Sequence, residues 1–275
     1  MIGLSSSSYY YDPKFTREER ERQDADLRGL IEQCQSEVPN SGYRPVQQYL
    51  KRRGVRVGER RIRRVMKRFS MHAKIKRAFK VTTDSNHDHR VYPNHLPGMK
   101  LTGSNQVWAA DITYIRIDNG FVYLAVIADL FNRKIIGWSV SKHIDGDLTL
   151  NALRMAISRQ KPSQGVIHHS DRGVQYLCGD YVTELKTNGF IISNSRKGNP
   201  YDNAFLESLM KTLKQQEVYL AKYETYLDVV DQLPQFIEDV YNEKRVHSGI
   251  GYLTPNELEE MEKSNMDVSR FELEI

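Results

Sequence analysis

Asp111, Asp171 and Glu207 are the acids whose positions could serve chemistry. Asp111 interrupts the run WAADITYI, where a half-buried strand would otherwise carry an apolar side chain. Asp171 follows the short run GVIHHS, and in α/β sheets ligands collect at strand ends. Glu207 opens a helical stretch in which Lys211 and Lys214 follow at i+4 and i+7 on one face, with Leu206, Leu209, Met210 and Leu213 as the opposing apolar stripe. Carboxylates gathered at one sheet edge repel each other unless cations neutralise them. Hard divalent ions do this, and Mg²⁺ (or Mn²⁺) is held by few carboxylates plus substrate phosphate. Two such ions about 4 Å apart can activate a water or a 3′-hydroxyl and stabilise the leaving oxygen of a phosphoryl transfer. The two lysines could then hold nucleic-acid phosphates.

Each residue alone has a plainer explanation. A lone Asp in a strand is usually an exposed or hydrogen-bonded acid. Asp171-Arg172-Gly173 makes a good turn. Glu207 with Lys211 is an ordinary i,i+4 ion pair. The order and spacing of the three together carry the chemical reading. Of the adjacent His168 and His169, at most one can face a site, because neighbouring strand residues point to opposite faces; His169 is expected to line it and His168 to be structural. His72, His87, His89 and His95 lack a Cys-x-x-Cys partner, which argues against a zinc finger.

The elements that must position these residues follow from periodicity. Thr16 and Glu19 read as a capping box ahead of a helix over 17–37, with Leu27, Leu30, Ile31, Cys34 and Val38 as its apolar stripe. A second helix has Pro45 in its first turn and Gly54 after its end. A third, from about Glu59 to Phe69, turns Ile62, Val65, Met66 and Phe69 inward and Arg60, Arg61, Arg63, Arg64, Lys67 and Arg68 mostly outward. Two short helices joined by a Gly-containing turn, the second one basic, form a helix-turn-helix pattern. Beyond a polar stretch, three strand-like runs in meander lead into alternating helices and strands, with Asp118-Asn119-Gly120 as the first hairpin turn. The final helix, over about 225–244, is interrupted or kinked at Pro234. The order β-β-β-α-β-α-β-α-α implies a mixed sheet with helices on both faces, as in the ribonuclease-H-like fold.

Composition agrees with this α/β reading. The chain has 275 residues, 39% apolar and 27% charged, which excludes a collagen-like, disordered or membrane chain. Its net charge of +5 hides an asymmetry: residues 41–80 hold 15 basic residues and one acid, Glu59. That field points to a polyanion, and double-stranded DNA is the expected partner. Cys34 and Cys178 form no disulfide framework. No apolar run approaches the roughly 18 residues that span a bilayer, and no signal peptide is evident at the start, so the expected location is cytoplasmic, on DNA.

WAADITYI, HHSDRGVQY, SRKGNPYDNAFLESLMKTLK and YNEKRVHSGIGYLTPNE resemble, in order, the blocks of bacterial insertion-sequence transposases. The type is the OrfB product of two-frame elements in the retroviral-integrase-like DDE superfamily. SGYRPVQQYLKRRGVRVGERRIRRVMKR resembles the helix-turn-helix segment ahead of the catalytic core in the same proteins. The second and third acids are separated by 35 residues, the spacing typical of that superfamily. Where many relatives have Thr and Leu, this chain has Ala110 and Ile250. The resemblance implies that Asp111, Asp171 and Glu207 are the catalytic metal-binding triad, with two Mg²⁺ or Mn²⁺ ions, and that Lys211 and Lys214 contact DNA. It implies supporting roles for Asn199 and Asn203, in the loop with Asp202 before the Glu helix, and for Arg245 and His247 near the end. It also implies a homo-oligomer on DNA and a first-frame (OrfA-type) partner or fusion.

The domains expected from the sequence are an N-terminal helical segment at 1–38 and a helix-turn-helix-like DNA-binding domain at 39–80. A linker at 81–98 leads to an integrase-like catalytic core at 99–262, and an acidic tail ends the chain at 263–275. The expected function is a transposase that cuts and joins the 3′ ends of its element. Two other readings stand beside it: a DNA-binding regulator with a dead core, which a defective triad would favour, and a nuclease for RNA–DNA hybrids, which would need no basic sequence reader.

Overall fold

Helix α1 (Arg17–Glu37) starts at the expected capping box, in which Glu19 N–H donates to Thr16 Oγ1 at 3.1 Å and Thr16 N–H to Glu19 Oε2 at 2.7 Å. The computed structural model describes residues 16–73, 90–196 and 200–275. In the first of two units, α1 packs with α2 (Tyr43–Arg52) and α3 (Glu59–Arg68). Leu27, Ile31 and Cys34 of α1 share one core with Val46 and Leu50 of α2 and Ile62, Val65 and Met66 of α3. The expected boundary at residue 38 therefore does not separate α1 from the helix-turn-helix. Two ten-residue helices bury too little apolar surface alone, and α1 supplies the third wall.

In the second unit, β2 (Val107–Ile117), β3 (Gly120–Asp129) and β4 (Ile135–Ser141) form the expected antiparallel meander. A short β1 (Lys100–Leu101) precedes them. After α4 (Gly146–Gln160) comes β5 (Ile167–Ser170), then α5 (Val174–Leu177), α6 (Gly179–Thr187) and β6 (Ile191–Asn194). The sheet order is β4-β3-β2-β5-β6, with β5 parallel to β2 and β6 parallel to β5. This is the ribonuclease-H-like mixed sheet, preceded in the chain by an all-α helix-turn-helix-like unit. Next come α7 (Ala204–Leu213), a π turn at Lys214–Val218, α8 (Tyr219–Ala221) and α9 (Tyr226–Gln235).

Strand alternation sends Trp108 and Ala110 to one face, with Leu148, Leu153 and Ala156 of α4 and Tyr181 of α6. Ala109 and Ile115 go to the other, with Leu206, Leu209 and Leu213 of α7 and Leu233 of α9. Gly137 lets α4 lie directly on β4, since a Cβ there would stand 2.3 Å from the Ala152 carbonyl oxygen.

Several elements differ from the sequence reading. Between β5 and β6 the alternating pattern implies one helix, but the chain forms two pieces divided at Cys178. The last long helix is not merely kinked at Pro234: it widens into a π turn over Phe236–Asn242, because proline has no N–H to donate and crowds the preceding turn. Residues 90–98 are not a free linker: Tyr92 N–H donates to Asn194 Oδ1 (2.9 Å), His95 N–H to Ser193 Oγ (3.0 Å), and Leu96 is buried. Residues 81–89 lie outside the described residues. The tail at 263–275 is docked: after α10 (Pro255–Lys263), Phe271 is buried and β7 (Leu273–Glu274) pairs with β1. Among the described residues, no helix is long and apolar enough to cross a membrane.

His168 is wholly enclosed, with Nε2 hydrogen-bonded to the Tyr181 hydroxyl at 2.9 Å. Burial, with His169 beside it, pushes its pKa down from 6.5 to about 3. Between those values the unfolded chain binds a proton that the folded chain refuses. The stabilisation is therefore complete above about pH 6.5 and is lost progressively as pH falls towards 3, at up to about 1.4 kcal/mol per pH unit. Urea midpoints at pH 7 and pH 5 should drop in the parent chain, and the drop should be smaller in His168→Gln. An equal drop in both would assign the acid sensitivity elsewhere.

Candidate active site

The parallel register of β2 and β5 sets the site. Val107, Trp108, Ala109 and Ala110 stand opposite Ile167, His168, His169 and Ser170. Immediately beyond this ladder come Asp111, still on β2, and Asp171, just past the end of β5; Asp111 shares the strand face of Ala109, on which α7 packs, and the two acids line one small cleft. The β5 ladder stops at Ser170, so the two carboxylates sit where β2 parts from its parallel neighbour. Asp111 is half-buried and accepts the Ile112 N–H at 2.8 Å. Asp171 Oδ1 accepts the Gly173 N–H at 2.8 Å. A Cβ on Gly173 would stand 3.0 Å from that same oxygen, so glycine is what lets the turn close over the carboxylate. Ile112, Ile144, Gln175 and Tyr176 complete the lining of a small cleft around the two acids.

The charges around this cleft share one field. Burial foremost, then the Asp171 carboxylate and more weakly Glu207, push the Asp111 carboxyl up to about 8; the Ile112 N–H and Lys214 oppose this. Glu207 lies in the first turn of α7, exposed. Among the described residues, no three His, Cys, Asp or Glu side chains are grouped closely enough to hold one metal ion. Asp111 and Asp171 thus share the cleft, and Glu207 bears on it from the helix above.

The lysines divide. Lys214 is half-buried, its Nζ 4.0 Å from the centre of the Tyr114 ring; burial lowers its pKa and Asp111 raises it. Lys211 is exposed, and the plain i,i+4 ion pair between it and Glu207 is not formed.

Comparison with known proteins assigns the family. Two models described as "Integrase core domain" match residues 102–200 and 188–255, and one described as "HTH-like domain" matches 21–79. A 31 kDa protein of insertion element IS600 from Shigella sonnei is 36% identical over 257 residues, 93% of this chain and 94% of that protein. Transposase InsF of IS3A from Escherichia coli K12 is 38% identical over 195 residues, 70% of this chain and 68% of that one. The chain belongs to the insertion-sequence transposases with an integrase core. Among solved structures, the HTLV-2 integrase catalytic core in complex with magnesium aligns with a TM-score of 0.42 and 16% identity, over 60% of this chain and 98% of that one.

In this transposase family member, several expected site residues lie elsewhere than foreseen. His169 does not line the cleft. Its ring is fully buried, with Nδ1 2.9 Å from Ser193 Oγ and Nε2 3.0 Å from Ser195 Oγ, and burial lowers its pKa to about 4. It braces β5 against β6 directly below Asp171. Arg245 and His247, expected only in support, are not among the residues that line the cleft. Arg245 Nε donates to Gln216 Oε1 at 3.0 Å, inside the π turn after α7, and the His247 ring packs edge-on to Tyr241 at 5.1 Å. Arg245 thus bonds to the turn that continues α7, and His247 lies against Arg245. Asn203 caps the start of α7 with no side-chain bond to the helix, and Asn199 lies outside the described residues.

The sequence reading missed a clamp at the foot of α7. The Arg196 backbone N–H and Nε donate to Asp202 Oδ2 (2.7 and 3.1 Å) and its Nη2 to Oδ1 (2.9 Å), which holds the Asp202 carboxyl down at about 2. It missed also that the basic residues of α3 are not equivalent. Arg61 Nε donates to Asp24 Oδ1 at 3.0 Å and Arg64 Nη2 to Asp24 Oδ2 at 3.1 Å, with Asp24 buried on α1. Asp24 falls in register with the stripe Leu27, Ile31, Cys34, so an acid on an apolar stripe was the available signal. Arg68 lies against the Phe69 ring, and Arg63 stands 3.9 Å from Glu59 and over Tyr43. Arg60 and Lys67 are exposed and form no ion pair among the described residues.

Proposed function

We propose that the chain is a divalent-metal-dependent polynucleotidyl transferase that cuts at the 3′ ends of an insertion element and joins each freed 3′-hydroxyl to another phosphodiester. The observation that supports this reading is that Asp111 on β2 and Asp171 just past the end of β5 line one cleft on which the charge of Glu207 also bears. The donor set fits the metal. Burial and acidic neighbours push the Asp111 carboxyl up to about 8 with only Lys214 as an opposing charge, and carboxylate oxygens suit a hard divalent ion. Asp111, Asp171 and Glu207 would hold Mg²⁺ or Mn²⁺, probed as two ions, which when bound would activate the attacking oxygen and stabilise the leaving one.

The remaining work belongs to the chain's own groups. Lys211 and Lys214 hold the phosphates of the DNA end over the cleft, and the α1–α3 unit binds duplex DNA. Joining two element ends calls for two such sites, so the working assembly is a homo-oligomer on DNA. A first-frame partner or fusion would add further DNA contacts.

Lys214 separates this reading from a merely solvated helix. It is too far along the helix to pair with Glu207, so Lys214→Ala should leave the melting temperature within a few degrees. Strand-transfer yield should fall severalfold at low salt, and the deficit should narrow as salt rises, because salt weakens the phosphate contact that only the parent makes. Equal yields at every salt concentration would return the lysine to a packing role against Tyr114.

A further inference from the structure

Tyr176 lines the carboxylate cleft, and the reading above gives it no task. It lies in α5, five residues after Asp171, and is 3% exposed. Its backbone N–H closes the turn on the Gly173 carbonyl at 3.0 Å, and its ring is set edge-on to Tyr181 at 5.5 Å. Its hydroxyl oxygen is sealed from solvent and has no hydrogen-bond partner among the described residues, while that of Tyr181 is satisfied by His168. A buried hydroxyl left unmade costs stability, and native folds keep few of them.

The chemistry of the surroundings says what this hydroxyl is for. Burial, then the charge of Asp111, with smaller effects from Tyr181 and Asp171, hold the phenol far above its ordinary pKa, so it stays protonated and can donate. The acceptors lining the same cleft are the Asp111 and Asp171 carboxylates and the Gln175 amide oxygen, and of these the two carboxylates bear on the Tyr176 hydroxyl electrostatically. A DNA phosphate cannot reach an atom sealed from solvent. A charged acceptor makes the stronger bond, so the carboxylates are favoured over the Gln175 amide, directly or through one water.

We propose that Tyr176 is a positioning residue of the carboxylate site, whose hydroxyl donates to the Asp111–Asp171 pair when a divalent cation draws those carboxylates together, and so fixes their orientation. This rests on the cleft being a cation site. Groups that orient metal-binding side chains in this way typically carry 10–100-fold of the affinity.

Tyr176→Phe keeps the ring and removes only the oxygen. In the full chain, Mn²⁺ titrated by calorimetry should bind about tenfold or more weakly to the variant. Without metal, the variant should melt at the same temperature as the parent or higher, because an unpaired buried hydroxyl is gone, and the rise in melting temperature on adding Mn²⁺ should shrink. Mn²⁺ affinity within about twofold of the parent would overturn the proposal. So would a lower metal-free melting temperature, which would make the hydroxyl part of the packing. If the parent chain bound Mn²⁺ no better than Asp111→Asn, the cation reading itself would fall and the role of Tyr176 with it.

Discussion

Asp171→Ala should abolish strand transfer, by on the order of a thousandfold or more, while duplex DNA binding stays nearly unchanged. The size follows from what is removed. Electrostatic stabilisation of a phosphoryl transfer rests on the ions, and Asp171 is one of the two carboxylates that share the cleft. Asp111→Ala should cost as much. Glu207→Ala should match them only if Glu207, exposed in the first turn of α7, joins the ions when DNA is bound. The assay is joining of a labelled element-end duplex in Mg²⁺ and in Mn²⁺, with a thermal melt and a DNA-binding isotherm for each variant. Undiminished joining by Asp171→Ala would remove the assignment. Binding without cleavage in the parent chain would instead support the DNA-binding regulator. Stability should not fall: burial foremost pushes the Asp111 carboxyl up, and removing the Asp171 charge that adds to this offsets the bond lost at Gly173.

How much of this was legible in the sequence depends on the range of the interactions involved. The meander, the two parallel strands and the helix bearing Glu207 were readable because periodicity and turn residues are local. The Asp118-Asn119 turn before Gly120, with its φ of 122°, stands where the sequence indicates. The meeting of Asp111 and Asp171 in one cleft was not readable, because it depends on how β2 and β5 register, which no local pattern specifies. His169 illustrates the same limit. Its adjacency to Asp171 suggested a site-lining ring, but Ser193 and Ser195, more than twenty residues on, claim both of its nitrogens. The 81–98 and 263–275 segments read as linker and tail because their composition is polar. Their anchors are backbone bonds to Asn194, Ser193 and β1, which composition does not encode. Tyr176 was hidden by its plainness: an aromatic after a turn reads as core, and only the missing partner of its hydroxyl sets it apart.

The α1–α3 unit yields the second large effect, because its arginines divide into two kinds. Asp24 holds Arg61 and Arg64 from within the unit, so part of their charge is already neutralised. Arg60, Arg63 and Lys67, at i, i+3 and i+7 of α3, form an exposed stripe on a single helical face. If each neutralises one phosphate, the combined variant Arg60→Ala, Arg63→Ala, Lys67→Ala should flatten the log–log salt dependence of duplex binding by about 2.7, at about 0.9 per contact. Between 50 and 200 mM salt the parent should then lose about fortyfold more affinity than the variant. Arg61→Ala should behave in the opposite way. It strips a partner from the buried Asp24 carboxylate, so the melting temperature should drop while the salt slope stays near the parent's. Fluorescence anisotropy on a labelled duplex at four or more salt concentrations measures the slopes, and melts measure the cost of disturbing Asp24. A slope unchanged in the triple variant would move the DNA contact off α3. A slope reduced equally by Arg61→Ala would mean that DNA pulls that guanidinium away from Asp24, and that the basic helix is re-sorted on binding.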